Sequence, residues 1–246
     1  MDDNYRRHWP VRITGIAILF LAAALPAAAG SFSISPIRVE LNRAHRTEVF
    51  TIRNENDSPL FIQVRTTAWS QENGEERYTD SQELLTTPPI FQLAANAQQI
   101  VRVALRRDVD SARELDYRLF FQEVPQGPKL TNALNVALRL SVPVFVLPAT
   151  PVRSDLLWQA RSLADGTMQI DVSNRGSAHL QITDFELNFG AAATTVHVTN
   201  SQYVLPGSHV MWTVAAPKGV DGSANIAVDG FSDQGKFHGD VVRIGS

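Results

Sequence analysis

Residues 132–148, NALNVALRLSVPVFVLP, place Leu134, Val136, Leu138, Leu140, Val142, Val144 and Val146 at every second position. A period of two puts all seven side chains on one face of an extended strand. The other face is mixed, with Ala133, Asn135, Ala137, Arg139, Ser141 and Pro143 leading to Phe145 and Leu147. Seven apolar residues on one face make a long strand, since roughly five or six residues in total is usual. Such a strand either crosses a large core or offers part of its apolar edge to another chain. In the second case a strand supplied by one protein completes the sheet of another.

The rest of the chain reads as short strands separated by turn signals, the pattern of β-sandwiches. Residues 32–41 are extended, with Pro36 pointing to a sheet edge. A turn at 54–59 (NENDSP) precedes a strand over 60–69, and Asn73-Gly74 is a strong hairpin signal. Strands follow at 84–93, interrupted by Pro88-Pro89, then at 98–105 and 117–124. The PATP of residues 148–151 ends the long strand and stiffens the chain, as expected of a linker. Beyond it, strands are expected at 156–161, 167–173, 180–187, 210–215, 224–229 and 240–244. No stretch carries a helical period. The expected fold is all-β, with domains at 30–147 and 148–246, each of a size suited to a seven-stranded sandwich.

Residues 1–29 have the form of an export signal, with Arg6, Arg7 and Arg12 ahead of an apolar run over 13–25 and a small-residue Ala27-Ala28-Ala29 site. Without those three arginines and the two aspartates beside them, 22 basic and 25 acidic residues become 19 and 23, a net charge of −4. That surface gives no basic footprint for nucleic acid. The chain has no cysteine, which excludes disulfides, thiolate metal sites and cysteine nucleophiles. His45, His179, His197, His209 and His238 show no HExxH or close ligand spacing, and no G-x-S-x-G elbow is present. No catalytic residue, metal or cofactor is therefore expected, and His179 reads as support for the turn at 174–176.

Several segments together resemble the PapD-like periplasmic pilus chaperones of the chaperone–usher pathway. They are ISPIRVEL at 34–41, LTTPPIFQLAANAQQIVR at 85–102, YRLFFQEVP at 117–125, the long strand ending in FVLP at 145–148, and the turns NRG at 174–176 and LPG at 205–207. The resemblance implies two immunoglobulin-like sandwiches set at an angle in a boomerang shape. It implies an assembly chaperone that lends its long strand to pilus subunits, which are sandwiches lacking one strand, and passes them to an outer-membrane usher. Leu134, Val136, Leu138 and Leu140 would then enter the subunit groove, while Val142, Val144 and Val146 stay in the chaperone core. The free chain would expose Val136 and Leu138 or cap them by self-association as a homodimer.

In the family an arginine on the first strand and a lysine near the end of the donor strand hold the subunit's C-terminal carboxylate. Arg38 matches the first, and a guanidinium suits a carboxylate because it can give two parallel hydrogen bonds. The lysine position falls on Pro143, which cannot donate; this departure suggests the archaic class, with Arg139 or Arg118 as candidate second cations. Glu114 matches an acidic member of the family's interdomain ion pairs, but its arginine partner is Leu147 here. Thr87-Pro88 matches a cis position. Two other readings are a structural two-domain surface or pilus component, and a carbohydrate-binding or hydrolytic sandwich. The first lacks an alternating extension ahead of its first strand, and for the second Trp69, Trp158 and Trp212 are too scattered.

Overall fold

The structure is a computed structural model that describes residues 32–109, 112–126, 137–150, 153–190, 194–199, 201–217 and 225–245. The expected export signal, Leu134 and Val136 lie outside the described residues. Among those described, the chain is all-β, with no α-helix. The first ten strands are β1 (Phe32–Ser35), β2 (Val39–Leu41), β3 (Thr47–Asn54), β4 (Leu60–Glu72), β5 (Glu75–Asp80), β6 (Leu84–Thr87), β7 (Ile90–Leu93), β8 (Gln98–Leu105), β9 (Leu115–Glu123) and β10 (Arg139–Val146). They form two sheets, one ordered β1-β3-β8-β6 and the other β2-β10-β9-β4-β5, with β7 also on β4.

Alternation explains this sandwich. Phe50 and Ile52 of β3 and Val101 and Val103 of β8 face Ile62 of β4, Leu119 and Phe121 of β9, and Val142, Val144 and Val146 of β10. Phe50 and Phe121 meet across the two sheets with ring centroids 5.6 Å apart. Each such fully buried side chain contributes about 1.5–3 kcal/mol. The extended runs at 32–41 and 84–93 each break at proline and change sheets, β1 to β2 across Pro36 and β6 to β7 across Pro88-Pro89. A residue without an N–H cannot bond toward a neighbouring strand at that position, and at these two prolines the chain leaves one sheet and joins the other. The Ser35–Pro36 and Thr87–Pro88 bonds are cis, the second as the sequence led us to expect.

The later strands are β11 (Leu156–Ser162), β12 (Thr167–Asn174), β13 (Leu180–Phe189), β14 (Thr194–Val198), β15 (Gln202–Val204), β16 (His209–Ala215), β17 (Ile226–Ser232) and β18 (Gly235–Arg243). They form one ladder, β14-β13-β17-β18-β11-β12-β16, with β15 on β13. Its ends β14 and β16 come into contact, closing the ladder over a second core. There Trp158 stacks on Trp212 at 6.4 Å, and Phe185 meets both rings near 5 Å. The two cores share one turn device. Asn54 at the end of β3 and Asn174 at the end of β12 are buried and give amide hydrogen bonds to carbonyls of the following turn, Ser58 and Ala178 respectively.

Candidate functional site

The outer edge of β10 is the first feature built for binding. Glu123 N donates to Leu138 O at 2.9 Å, so even-numbered residues of β10 turn their backbone groups toward β9. Leu147 N donates to Leu41 O at 2.8 Å, so odd-numbered residues turn theirs to the opposite side. On that side β2 covers only Val144 to Val146, in parallel register with Val39 to Leu41. The backbone of Arg139, Ser141 and Pro143 therefore faces an edge with no neighbouring strand among the described residues. Pro143 is tolerated in the interior of β10 because its missing N–H falls on this open side. Leu138 and Leu140 are half-buried and pack on the margin of their own core, next to fully buried Val142, Val144 and Val146.

The second feature is the junction between the two cores. Trp69, Phe145 and Leu205 form a small buried cluster there, with Tyr203 packed on it. The Gln71 side chain clasps the second unit, donating to Tyr203 O at 2.7 Å and accepting from Leu205 N at 2.9 Å. His179 lies flat on Phe145, with centroids 3.6 Å apart. Its Nδ1 is 2.5 Å from Glu114 Oε1, and its backbone N–H also donates to that oxygen at 3.1 Å. On the other side of the ring, Nε2 is 2.9 Å from Arg38 Nη2. A guanidinium only donates, so Nε2 accepts from Arg38 only while the imidazole is neutral; once protonated, Nε2 faces Asp233 Oδ2, 3.6 Å away, instead. Arg38 goes on to Asp233 Oδ2 at 2.5 Å and to Glu40 Oε1 at 2.9 Å. The chain Glu114–His179–Arg38–Asp233 thus alternates between the two units, and Arg38 is already engaged by carboxylates of its own chain.

Charge is balanced tightly at this junction. Burial works to lower the His179 pKa, but hydrogen bonds with Asp233 and Glu114 outweigh it and the value is raised. Burial likewise works to raise that of Asp233, yet His179 and Arg38 hold the carboxyl well below the usual carboxylate range. Asp116 is pushed well above that range, first by burial and then by Glu114 beside it. Glu114 Oε2 and Asp116 Oδ1 are buried without hydrogen-bond partners, so a proton on Asp116 relieves two like charges in one site.

A family model described as the pili and flagellar-assembly chaperone PapD N-terminal domain matches residues 31–151. Among curated proteins, the chaperone protein PapD of Escherichia coli is 24% identical over 148 residues, covering 56% of this chain and 60% of PapD. The chaperone protein Caf1M of Yersinia pestis is 27% identical over 210 residues, covering 75% of this chain and 74% of that one. Residues 31–151 belong to the PapD-like pilus chaperone family. A chain of the CsuC–CsuE chaperone–tip adhesion subunit complex from the archaic chaperone–usher Csu pili of Acinetobacter baumannii shares the fold. Its TM-score is 0.67 at 16% identity, with 87% of this chain and all of that one covered.

Within this PapD-like framework the sequence-derived site residues fall in different places. Arg38 lies at the junction, half-buried. Arg118 also lies there, opposite Pro143 in register, its guanidinium 3.8 Å from the Trp69 ring centroid and 5.4 Å from that of Tyr203. Arg139 is remote from both, exposed and stacked 3.8 Å over Phe120. Glu114, whose family partner is replaced by Leu147, takes His179 instead, so His179 does more than support a turn. Asp233 and Gln71 went unnoticed in the sequence, and Phe145 was read only as part of the long strand, without a role at the junction. Asp233 sits in the hairpin between β17 and β18, within residues 230–239, which the sequence reading left between two separate strands.

Proposed function

We propose that this chain is a periplasmic assembly chaperone, exported by a signal at residues 1–29, that stabilises pilus or fimbrial subunits by completing their sheets. The observation that carries the reading is the open outer edge of β10 over residues 139–143, with Leu138 and Leu140 at the margin of the core. A strand can add to that edge through backbone hydrogen bonds, and alternating side chains supply the specificity. Leu134, Val136, Leu138 and Leu140 are the side chains lent to the subunit. The two domains are residues 30–147 and 148–246, and the work requires no chemistry or cofactor. Release is to an outer-membrane usher, and the likeness to the CsuC–CsuE complex and the loss of lysine at Pro143 favour the archaic class. In the free chain the apolar edge is either open or capped by a second copy.

The subunit's chain end is held at Arg38, which exchanges one of its carboxylate partners for that of the client. Arg139 and Arg118 are the candidates for a second cation. Co-expression with a candidate subunit and pull-down from a periplasmic extract tests the reading. The double change Val136→Asp and Leu138→Asp should abolish subunit recovery while the chaperone stays folded. Unchanged recovery would contradict strand lending. Arg38→Ala should weaken recovery by about tenfold, the scale of one charge-assisted hydrogen-bond pair.

A further inference from the structure

Glu114 and Asp116 flank Leu115, the first residue of β9, so in extended backbone both carboxylates leave the chain on the same face. His179, just ahead of β13 in the second unit, comes to meet them. One ligand atom from each of the three lies within 4.8 Å of the other two. His179 stands 65 residues beyond Glu114, so no short ligand spacing announces the group in the sequence. Two oxygens here have nothing to bond. The Glu114 side chain is fully buried; its Oε1 meets the backbone N–H and the ring of His179, yet its Oε2 has no partner. Asp116 Oδ1 is likewise buried and unpartnered. Such atoms call for a proton, a water or an ion. A proton on Asp116 cancels one of the two negative charges, whereas a divalent cation cancels both and takes both oxygens at once. Asp116 keeps partial exposure, which leaves the ion a way in.

The donor set selects the ion. One imidazole with two carboxylates suits Zn²⁺ and its first-row neighbours, whereas Ca²⁺ and Mg²⁺ take more oxygens than these residues supply. Around a four-coordinate zinc with bonds of about 2.0–2.1 Å, ligand atoms stand roughly 3.4 Å apart, a spacing within reach of side-chain adjustment here. We propose that Glu114, Asp116 and His179 form a binding site for one divalent transition-metal ion that clamps the two units together. Glu114 Oε2, Asp116 Oδ1 and His179 Nδ1 are the ligands, with water in the fourth position. Nδ1 as a ligand leaves the ring proton on Nε2, where Asp233 Oδ2 lies 3.6 Å away to accept it. A carboxylate behind a ligating imidazole fixes its tautomer and raises its basicity. Arg38 Nη2 then loses its acceptor at Nε2, and the guanidinium keeps Asp233 and Glu40. The site goes beyond the chaperone reading and does not rest on it.

The test uses the mature chain, stripped by chelator and then titrated with Zn²⁺. Calorimetry should find one tight site per chain. Urea unfolding should show the folding constant raised about a hundredfold once free zinc exceeds the dissociation constant about a hundredfold. Asp116→Asn is the decisive variant. It removes a like charge, so without metal it should unfold at higher urea than the native chain. With zinc it should gain nothing, and the native chain should overtake it. His179→Gln should also lose the zinc effect, and Asp233→Asn should weaken zinc binding about ten- to hundredfold. Nitrogen NMR of the native complex should place the metal on His179 Nδ1 and the proton on Nε2. The pairs His197–Glu186 and His238–Asp229 are exposed groups that can take zinc by themselves. The double change His197→Gln and His238→Gln is therefore the control and should leave the tight site intact. Equal zinc stabilisation of the native chain and Asp116→Asn, or loss of the tight site in the double variant, would overturn the assignment. Calcium stabilising as strongly as zinc would overturn it too, since calcium dispenses with the imidazole. Subunit capture enters none of these measurements, so the site stands or falls apart from the chaperone reading.

Discussion

At the scale of single residues, the junction stores opposing electrostatic contributions, and pH separates them. Asp116 binds its proton more tightly when folded, so folding loses stability as pH rises through the interval above about 3.9, its unfolded value. Asp116→Asn should therefore raise stability at neutral pH by about 1 kcal/mol or more and flatten that decline, measured by urea unfolding across pH. Asp233 behaves oppositely. Its folded pKa is depressed, so its contribution is present above about pH 3.9 and lost as pH falls through the folded value. Asp233→Asn should remove that acid-side loss. His179 is raised, so its charged form stabilises fully below about pH 6.5 and the contribution fades as pH rises through the folded pKa. His179→Gln should remove that fade, and a profile identical to the native one would separate His179 from the junction. Arg38, Arg118 and Glu114 were visible as charged residues in strand-like text. Their pairing was not, because Glu114 and His179 lie 65 residues apart and the expected arginine is absent.

At the scale of elements, local signals were the readable ones. Asn73-Gly74 turns β4 into β5 with both residues at positive φ, 53° and 78°, as a two-residue hairpin of primed type demands. The alternation of residues 138–146 fixed which face of β10 meets the core. What stayed hidden depended on partners distant in sequence. The extended run 32–41 does not reveal that it serves two sheets, and β14 and β15 are short, weakly patterned strands that exist through β13. Gly176 illustrates the same limit from a turn that was legible. A Cβ there would lie 2.2 Å from Arg153 O and 2.7 Å from Asp155 N, backbone atoms that cannot swing aside. Gly176→Ala should therefore destabilise the second unit, visible as a lowered urea midpoint for Trp158 and Trp212 fluorescence; an unchanged midpoint would show that the linker end at 153–155 yields freely.

At the scale of the whole molecule, two sandwiches meet through one aromatic knot, and β10 belongs to both problems. Its even face completes the first core, while Phe145 on its odd face carries His179 and joins Trp69 and Leu205. An added strand at the outer edge of β10 therefore ends against the same junction that sets the two units. Phe145→Ala removes a fully buried ring, a change that typically costs about 3–5 kcal/mol. It should loosen the junction, seen as a larger radius of gyration by small-angle scattering. The central claim is that the odd-numbered backbone of β10 receives the client. Native hydrogen exchange of the Arg139 and Ser141 amides, with and without a captured subunit, measures this directly. Strong slowing of both amides on capture is the predicted result; unchanged fast exchange there, with protection elsewhere in a stable complex, would contradict it.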